Sequence, residues 1–281
     1  MTEPFVSLVM AIRNEAAFIR ECLDGVASQD YPSDRLEVIV ADGMSTDGTA
    51  DIVRSCRARC PNLRLIENRA GITAAGLNAA ISAARGEIIV RMDGHAEMPR
   101  DYVRNCVAAL QRTGAEHVGC EQRAVGKTVF GKAVALAMST PFGVGGARFR
   151  TGPEREAWVD TAFLGAWRRE IFERIGLFDE AVGCSDDDEI NYRLLDLGGR
   201  ILLSPQLRID YRPRDSLSAL ATQYFRYGFW KVRVMQKHPR QMRLSHFVPP
   251  AFAAALLASV GAAVFAATGR VLLGVLAGAY L

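Results

Sequence analysis

Carboxylates and hydroxyls are concentrated at residues 42–49 (DGMSTDGT), directly after an apolar run. Such groups at the end of a buried strand can hold the base and ribose of a nucleotide. The ordinary alternative is that Ser45, Thr46 or Asp47 caps the helix that follows. Capping accounts for one of these residues but not for Asp42 as well, so we predict that Asp42 contacts a ligand.

A carboxylate and an imidazole, Asp93 and His95, stand two residues apart after the apolar run at residues 87–92. At the end of a strand both side chains can point into one site, where they can bind a divalent metal ion together with a ligand's diphosphate. One Asp-x-His pair arises easily by chance, and a single histidine is more often a surface or core residue. The position at a strand end favours the metal-binding interpretation.

Four carboxylates in a row, Asp186, Asp187, Asp188 and Glu189, stand at the start of a predicted helix. Acidic residues at a helix N-terminus interact favourably with the helix dipole, and this is the ordinary explanation. Four carboxylates are more than the helix dipole requires, and their mutual repulsion should raise the pKa of at least one of them. A carboxylate held in this way could act as a general base.

The first half of the chain alternates short apolar runs with amphipathic stretches, which predicts alternating strands and helices. No hairpin signal separates them, so we expect an α/β fold with a mostly parallel sheet and right-handed crossovers. The predicted strands cover residues 6–12, 36–41, 63–67 and 87–92, and the predicted helices cover 14–29, 49–60, 72–84 and a stretch after Pro99. Such sheets bind ligands at the carboxyl ends of their strands, so the loops after Ile12, Ala41 and Met92 should form the site.

The second half of the chain has a weaker pattern. Residues 126–155 contain several glycines and are predicted to form a flexible loop. Ordered structure is expected again at residues 157–164. Helices are predicted at 167–175, 187–197 and 216–238, and the last of them is crowded with aromatic residues.

Charge is unevenly distributed along the chain. Its 281 residues are 49% hydrophobic and 23% charged, a composition that excludes a disordered chain and a small disulfide-stapled one. The net charge is +3, but residues 1–224 carry −4, whereas residues 225–281 contain seven basic side chains and no acidic one. The folded domain thus shows little sign of the basic face that nucleic-acid binding needs.

The six cysteines form no Cys-x-x-Cys pair and are expected to be reduced thiols.

Residues 247–268 form an uncharged run of 22 residues. A helix of this length spans the hydrocarbon core of a bilayer, which is about 30 Å thick; a buried helix of a soluble protein is the alternative. Six basic residues precede the run, and by the positive-inside rule they place the domain before it in the cytoplasm, at the inner membrane. A second apolar run follows Arg270 and stops at Leu281, which indicates a truncated chain or an incomplete second span.

Several further motifs follow one another in a characteristic order. A strand ending in Arg-Asn-Glu is followed by Asp-Gly-x-Ser-x-Asp-Gly-Thr, by Asp93-Gly-His95, by Gly-x-Phe-Asp-Glu and by the acidic run into Asn-Tyr-Arg-Leu. This order resembles that of the family 2 glycosyltransferases, which have the GT-A fold. Within the family, VRMDGHAEMP, VDTAFLGAWRREIFERIGLFDE and DDDEINYRL are similar to the succinoglycan-biosynthesis (ExoA-like) branch. The resemblance covers residues 5–240, so we expect a GT-A domain over 1–240 and a basic neck with a membrane segment over 241–281.

The resemblance implies a position for the nucleotide. Asp42 would contact the uracil or another base, with Arg13 and Glu15 nearby. Arg69, in the turn after the third predicted strand, would lie near the nucleotide as well.

The resemblance also implies a metal site. Asp93 and His95 occupy the position of the family's D-x-D motif, which binds the ribose and the metal-bound diphosphate. His95 replaces the second carboxylate of that motif. Because imidazole is a better ligand for Mn²⁺ than for Mg²⁺, either ion could serve and the preference could shift towards Mn²⁺.

Two further motifs bear on catalysis. Alignment with the family's acidic motif puts the catalytic base at Asp187, with Asp186 in the place of a glutamate that contacts substrate. Gln223 and Arg226 match the QxxRW motif of processive synthases, in which Tyr227 replaces the tryptophan. That replacement, together with the small number of spans, puts a polymer-extruding synthase in doubt.

The expected protein is a membrane-anchored, inverting glycosyltransferase. It would move a sugar from a nucleotide donor, expected to be UDP-linked, to a lipid-linked saccharide in exopolysaccharide or cell-surface glycan synthesis. The metal would neutralise the leaving diphosphate, and Asp187 would take the proton of the acceptor hydroxyl, with Asp186 and Asp188 as alternatives. Transfer onto polyprenyl phosphate, or a nucleotide-binding membrane scaffold without catalysis, are the competing functions.

Overall fold

The structure, a computed structural model, describes residues 3–265 together with residues 271, 274 and 278. Most of the second apolar run predicted after Arg270 therefore lies outside the described residues. The described chain forms two units, of which the first ends at His238 and the second begins at Pro239.

Strands and helices alternate along most of the first unit. Its strands are β1 (Val6–Ile12), β2 (Leu36–Asp42), β3 (Leu63–Glu67), β4 (Ile88–Arg91), β5 (His117–Ala124), β6 (Ala157–Val159), β7 (Phe163–Arg168) and β8 (Ile201–Tyr211). Its helices are α1 (Ile19–Ala27), α2 (Thr49–Cys56), α3 (Thr73–Ala83), α4 (Tyr102–Thr113), α5 (Val129–Met138), α6 (Pro141–Val144), α7 (Arg148–Thr151), α8 (Glu170–Ile175), α9 (Asp186–Asp196) and α10 (Leu217–Lys237). The second unit contains α11 (Val248–Phe265).

An eight-stranded sheet in the order β3-β2-β1-β4-β7-β5-β8-β6 runs through the described part of the first unit. The pairs β1–β2, β2–β3, β1–β4 and β5–β8 are parallel. β7 runs antiparallel between β4 and β5, and β6 is antiparallel to β8 at the edge. The predicted α/β fold with a mostly parallel sheet is thereby confirmed.

Both faces of the sheet are covered, as β1 illustrates. Leu8 and Met10 join the hydrophobic core that includes residues of α1, α2 and α4. Val9, which points to the other face, joins the core that includes residues of α3, α8 and α9. A strand buried on both faces has a nearly continuous apolar sequence, which is why β1, β2 and β4 could be predicted. All six cysteines lie in the described part of the chain and are free thiols, as predicted.

The prediction that residues 126–155 form a flexible loop was wrong, because this segment contains α5, α6 and α7. Thr128 and Thr140 cap α5 and α6 by accepting hydrogen bonds from the backbone N–H groups of Gly131 and Gly143. These glycines therefore lie inside helices, where close packing rather than flexibility explains them. A Cβ atom at Gly143, for example, would lie 2.1 Å from a backbone oxygen of α5.

A second wrong prediction concerns Trp167, which was expected to begin a helix. It lies in β7, and α8 begins only at Glu170. The indole is fully buried and stacks on the ring of His117 in β5, with the ring centroids 4.0 Å apart. The tertiary contact across the sheet therefore decides the conformation of this residue.

The second unit contains a segment, Leu244–Ala263, that is long and apolar enough to cross a membrane, judged by length and composition alone. It overlaps most of the span predicted at 247–268. The last residues of that predicted span lie beyond the described part of the helix.

The backbone of β7 is distorted at Leu164 and Gly165, whose φ angles are +45° and +96°. A Cβ atom at Gly165 would lie 1.9 Å from the carbonyl oxygen of Val118 in β5, so only glycine fits here. The distortion places the Leu164 carbonyl oxygen 2.8 Å from Nε2 of His117. The other ring nitrogen of His117 lies 2.9 Å from Oδ1 of Asn191 in α9, so this part of β7 supports that helix.

We expect Gly165→Ala to lower the free energy of unfolding by about 1–3 kcal/mol through backbone strain alone. The loss should be larger in practice because the added methyl group would overlap the Val118 oxygen. Gly146→Ala is the matched control, since no described atom lies within 4 Å of a Cβ built there. Thermal unfolding of the full chain in detergent measures both variants, and equal midpoints would show that β7 relaxes around the methyl group.

Candidate active site

A cavity of about 540 Å³ opens at the carboxyl ends of β1 and β4. The loops after these strands, the start of α9 and one side of α10 contribute to its wall. The charged and imidazole side chains of the wall are Arg13, Glu15, Arg91, Asp93, His95, Asp186, Asp187, Arg214 and Arg226. The location agrees with the expectation that such a sheet binds ligands at the carboxyl ends of its strands.

The structure brings together all but two of the residues predicted to form the site. Those in the wall are Arg13, Glu15, Asp93, His95, Asp186, Asp187, Gln223 and Arg226. Asp42 and Arg69 are not among the described residues of the wall. The Asp42 carboxylate accepts hydrogen bonds from the backbone N–H and the hydroxyl of Ser45, at 3.1 and 2.5 Å. Arg69 is 86% exposed and pairs with Glu67 at 3.1 Å.

The motif at residues 42–49 joins the loop after β1 to the loop after β2. Ser45 Oγ accepts a hydrogen bond from the backbone N–H of Asn14 at 2.9 Å, and Asn14 Oδ1 accepts one from the N–H of Thr46 at 2.9 Å. Asn14 has a φ of +55°, which a right-handed helix does not contain, so α1 begins at Ile19 and not at residue 14 as predicted. The motif therefore holds one side of the cavity in place, a use that the sequence did not reveal.

His95 is oriented by a carboxylate. Its Nδ1 lies 2.9 Å from an oxygen of Glu15. Burial lowers the pKa of His95, but the hydrogen bond to Glu15 and the negative charge of Asp93 outweigh that effect and raise the pKa above its usual value. A carboxylate on the far nitrogen is the usual partner of a metal-bound histidine, and it leaves Nε2 as the nitrogen directed to a ligand.

Asp93 and His95 suit a divalent ion that takes its remaining ligands from elsewhere. One carboxylate and one imidazole are acceptable to Mn²⁺ and, less favourably, to Mg²⁺. Within the described chain no group of three metal-ligating side chains is found, so the protein supplies part of a coordination shell at this position. A diphosphate oxygen is a chemically suitable complement.

Arg91, the last residue of β4, was not predicted as part of the site. Its side chain is only 5% exposed, and its guanidinium lies 2.7 Å from an oxygen of Asp187, 3.0 Å from one of Asp186 and 3.8 Å from one of Asp93. Burial opposes its charge, but the three carboxylates outweigh burial and raise the pKa of Arg91, so it is a permanent cation. A sequence signal was present, because an arginine inside a buried apolar strand requires a buried counter-charge.

Asp187 has a strongly shifted pKa. Burial is the largest cause; Arg91 opposes it, and the charges of Asp186 and Asp93 add to it, so that the pKa of Asp187 rises to about 8. The predicted rise of one pKa within the acidic run is confirmed, although burial rather than repulsion is its main cause. A carboxylate that titrates near neutral pH is suited to accepting a proton during a reaction.

The other two carboxylates of the acidic run are held by α10. Asp188 accepts a hydrogen bond from Lys231 Nζ at 2.9 Å. Glu189 is fully buried and pairs with Lys237 at 2.6 Å. Neither residue is among the described residues of the cavity wall, so Asp186 and Asp187 are the candidates for a role in chemistry. The two lysines also fasten α10 to α9.

The segment Gln223-Tyr-Phe-Arg226-Tyr227 lies on α10, beside the cavity. Gln223 Nε2 donates hydrogen bonds to the hydroxyls of Tyr211 and Tyr227, both at 2.9 Å. Burial raises the pKa of Tyr227 to about 12, so its hydroxyl stays neutral. Arg226 lines the cavity and has no carboxylate within 4 Å in the described part of the chain.

Comparison with known proteins identifies the family. The profile described as Glycosyl transferase family 2 matches residues 7–176. This chain belongs to glycosyltransferase family 2. The succinoglycan biosynthesis protein ExoA of Rhizobium meliloti is 32% identical over 248 residues, which cover 88% of this chain and 74% of that protein. This family 2 glycosyltransferase therefore takes part in polysaccharide or glycan biosynthesis.

A second relative, from Methanococcus voltae, is named dolichyl N-acetyl-alpha-D-glucosaminyl phosphate 3-beta-D-2,3-diacetamido-2,3-dideoxy-beta-D-glucuronosyltransferase. It is 26% identical over 241 residues, which cover 83% of this glycosyltransferase and 74% of the relative.

Solved structures confirm the GT-A fold of this glycosyltransferase. Mannosyltransferase PcManGT from Pyrobaculum calidifontis, in complex with GDP-Man and Mn²⁺, superposes with a TM-score of 0.67 at 27% identity. That match covers 99% of this chain and 85% of the mannosyltransferase. TarS from S. aureus, residues 1–349 with UDP-GlcNAc, has a TM-score of 0.60 at 18% identity, covering 82% of this chain and 66% of TarS, and shares the fold.

We expect Arg91→Met to lower the free energy of unfolding by about 3–5 kcal/mol at about pH 9, because it leaves three partly buried carboxylates without their cation. Loss of the cation raises the pKa of Asp187 further, so the variant takes up protons at higher pH than the parent protein. The destabilisation should therefore shrink as the pH falls. Denaturant unfolding of the full chain at several pH values measures this.

The exposed pair of Arg54 and Asp51 provides the control for this experiment. Arg54→Met should change the free energy of unfolding by less than about 1 kcal/mol at every pH. A loss for Arg91→Met that does not vary with pH would mean that the guanidinium acts through packing and not through charge.

Proposed function

We propose that this chain is a membrane-anchored, inverting glycosyltransferase that moves a sugar from a nucleotide-diphosphate donor to a lipid-linked saccharide. One observation carries the proposal: a single cavity contains the Asp93–His95 pair and the partly buried carboxylate of Asp187. The diphosphate of a donor and the hydroxyl of an acceptor can therefore meet in one place. In such a reaction the hydroxyl oxygen attacks the anomeric carbon from the side opposite to the leaving diphosphate, while a base removes its proton.

Asp187 is the proposed base. Its carboxylate accepts the proton of the acceptor hydroxyl, and the guanidinium of Arg91, 2.7 Å away, holds it in position. Arg91 also favours the ionised form of Asp187, which is the form that can take up a proton. Asp186 shares the same guanidinium at 3.0 Å and is proposed to contact substrate.

Asp93 and His95 are the proposed metal ligands. An ion bound there, Mn²⁺ or Mg²⁺, would neutralise the charge on the leaving diphosphate. Glu15 fixes the ring of His95 through Nδ1 and so selects Nε2 as the ligand atom. The imidazole favours Mn²⁺, and the related PcManGT was solved with that ion.

Arg13, Glu15, Gln223 and Arg226 are proposed to contact the substrates from the cavity wall. Asp42 and Arg69 are still predicted to contact the nucleotide. Because neither is among the described residues of the cavity wall, each would have to reach the nucleotide from beside the cavity. The sequence leads us to expect a UDP-linked donor, whereas PcManGT holds GDP-Man, so both nucleotides belong in a test.

The proposed acceptor is a lipid-linked saccharide. The name of the Methanococcus relative specifies transfer onto a sugar carried by dolichyl phosphate, and the Rhizobium relative belongs to succinoglycan biosynthesis. The apolar segment Leu244–Ala263 and the basic residues before it suit a protein anchored at the inner membrane with its first unit in the cytoplasm.

Nucleotide release by membranes that contain the full chain tests this function. A panel of UDP- and GDP-sugars is supplied with and without a lipid-linked saccharide acceptor, and the products are identified by mass. Acceptor-dependent release with one added sugar is the expected result. A product with a single sugar on polyprenyl phosphate would favour the alternative acceptor, and no turnover of any donor would favour the scaffold.

Asp187→Asn should lower the rate of transfer by about 10²–10⁴ while donor binding survives, because it removes the proton acceptor but keeps the shape. Asp186→Asn is assayed beside it for turnover and nucleotide affinity. Asp188→Asn is the matched control, because its carboxylate contacts Lys231 outside the cavity, and it should lose much less activity. If the Asp187 variant turns over normally and the Asp186 variant is inactive with intact nucleotide binding, the base is Asp186.

EDTA should abolish transfer, and Mn²⁺ should restore it better than Mg²⁺, because His95 supplies an imidazole nitrogen. His95→Asp should move the preference towards Mg²⁺. Initial rates over a titration of each ion measure both effects. Full activity in EDTA would contradict a metal role, and an unchanged ion preference in the variant would remove His95 from the ligands.

A further inference from the structure

A second cavity, of about 440 Å³, adjoins the one described above. The two cavities share Arg13, Glu15, His95 and Arg214 in their walls. The second cavity extends to the loop between β5 and α5, where Lys127 lies. Since His95 lines both, a ligand in the second cavity would lie beside a nucleotide in the first and not in its place.

The cations of the second cavity differ in how their charge is balanced. Arg212 pairs with Glu21 at 2.8 Å and with Glu97, and its guanidinium lies over the ring of Phe18. It therefore has a structural role. Lys127 and Arg214, in contrast, have no carboxylate within 4 Å in the part of the chain that the structure describes.

The acidic groups of this wall have hydrogen-bond partners other than Lys127 and Arg214. Asp215 accepts a hydrogen bond from the hydroxyl of Thr128 at 3.0 Å, and Glu15 contacts His95. Arg13 lines this wall as well, and its guanidinium donates a hydrogen bond to the Gly71 carbonyl oxygen. Cations that no carboxylate balances are suited to an anionic ligand, and phosphate groups are the anions that lysine and arginine commonly bind.

The remaining wall is partly aromatic. Phe18 and Tyr211 line the cavity, and the ring of Tyr211 lies 6.3 Å from that of His95. Apolar and aromatic surfaces beside cations fit a ligand that joins a phosphate group to a less polar portion. A free inorganic anion would not use these surfaces.

We propose that the second cavity binds the phosphate groups that join the acceptor saccharide to its lipid, with Lys127 and Arg214 as their counter-charges. This assignment rests on the proposed function in taking the acceptor to be lipid-linked. The phosphate groups are not the reacting part of the acceptor. Their binding would orient the saccharide, so that its hydroxyl faces the first cavity.

Geranyl diphosphate is the probe for this site, with detergent-solubilised full-length protein first saturated with UDP or, separately, with GDP. Calorimetric titration should show binding in the presence of the nucleotide. Lys127→Gln should weaken that binding about tenfold or more, because it removes a charge-assisted hydrogen bond. Lys127→Arg should retain it, and geraniol, which lacks the phosphates, should show no dependence on Lys127.

Lys132→Gln is the matched control, since Lys132 is an exposed lysine of α5 outside the described walls of both cavities. Binding of vesicles that contain phosphatidylglycerol distinguishes a lipid headgroup as the source of the phosphate. Lys127→Gln should leave vesicle binding unchanged. A variant that loses vesicle binding but keeps geranyl diphosphate binding would overturn the proposal in favour of a headgroup contact.

Loss of geranyl diphosphate binding on saturation with nucleotide would also overturn the proposal, because the probe would then occupy the donor cavity. Equal effects of Lys127→Gln and Lys132→Gln would overturn it as well. The experiment measures binding without turnover, so its outcome is separable from that of the proposed function. A protein that binds the probe through Lys127 but turns over no nucleotide sugar would retain this site and lose the proposed activity.

Discussion

The site depends on one buried positive charge. The guanidinium of Arg91 lies within 4 Å of Asp93, Asp186 and Asp187, which without it would be three partly buried carboxylates repelling one another. The cation comes from β4 and two of the anions come from α9. The contact that holds the Asp187 carboxylate therefore also joins α9 to the sheet, so the geometry of the site and the tertiary structure share one interaction.

Much of the fold could be predicted because burial gives β1, β2 and β4 nearly continuous apolar sequences. β1 has one long apolar run, since neighbouring residues enter cores on opposite faces of the sheet. β5 and β8 were not predicted, because both strands mix polar with apolar residues. Their pairing also shifts register after Gly119. The prediction of a helix beginning at Trp167 was wrong because the contact of its ring with His117 in β5 outweighs the local helix preference.

The candidate site was predictable where residue types follow strand ends, as at Asp93 and His95, because topology brings those ends together. What the sequence could not show is which carboxylates of a cluster face the cavity. Asp188 is directed to a lysine of α10, a contact over 43 positions that no local pattern encodes. Arg91 was not predicted because its carboxylate partners in α9 lie about 95 positions later in the chain, a separation that no local pattern encodes.

The ion pairs between α9 and α10 affect the order in which parts of the protein can fold during synthesis. Glu189 is buried against Lys237, which is synthesised 48 residues later. Asp188 pairs with Lys231, which is synthesised 43 residues later. Until α10 has left the ribosome, the acidic start of α9 has Arg91 but lacks these lysine partners. Because domains form from the N-terminus onwards during translation, the sheet around β1 to β4 can assemble first. The wall of the cavity is then complete only after α10, which supplies one side of it, has been synthesised.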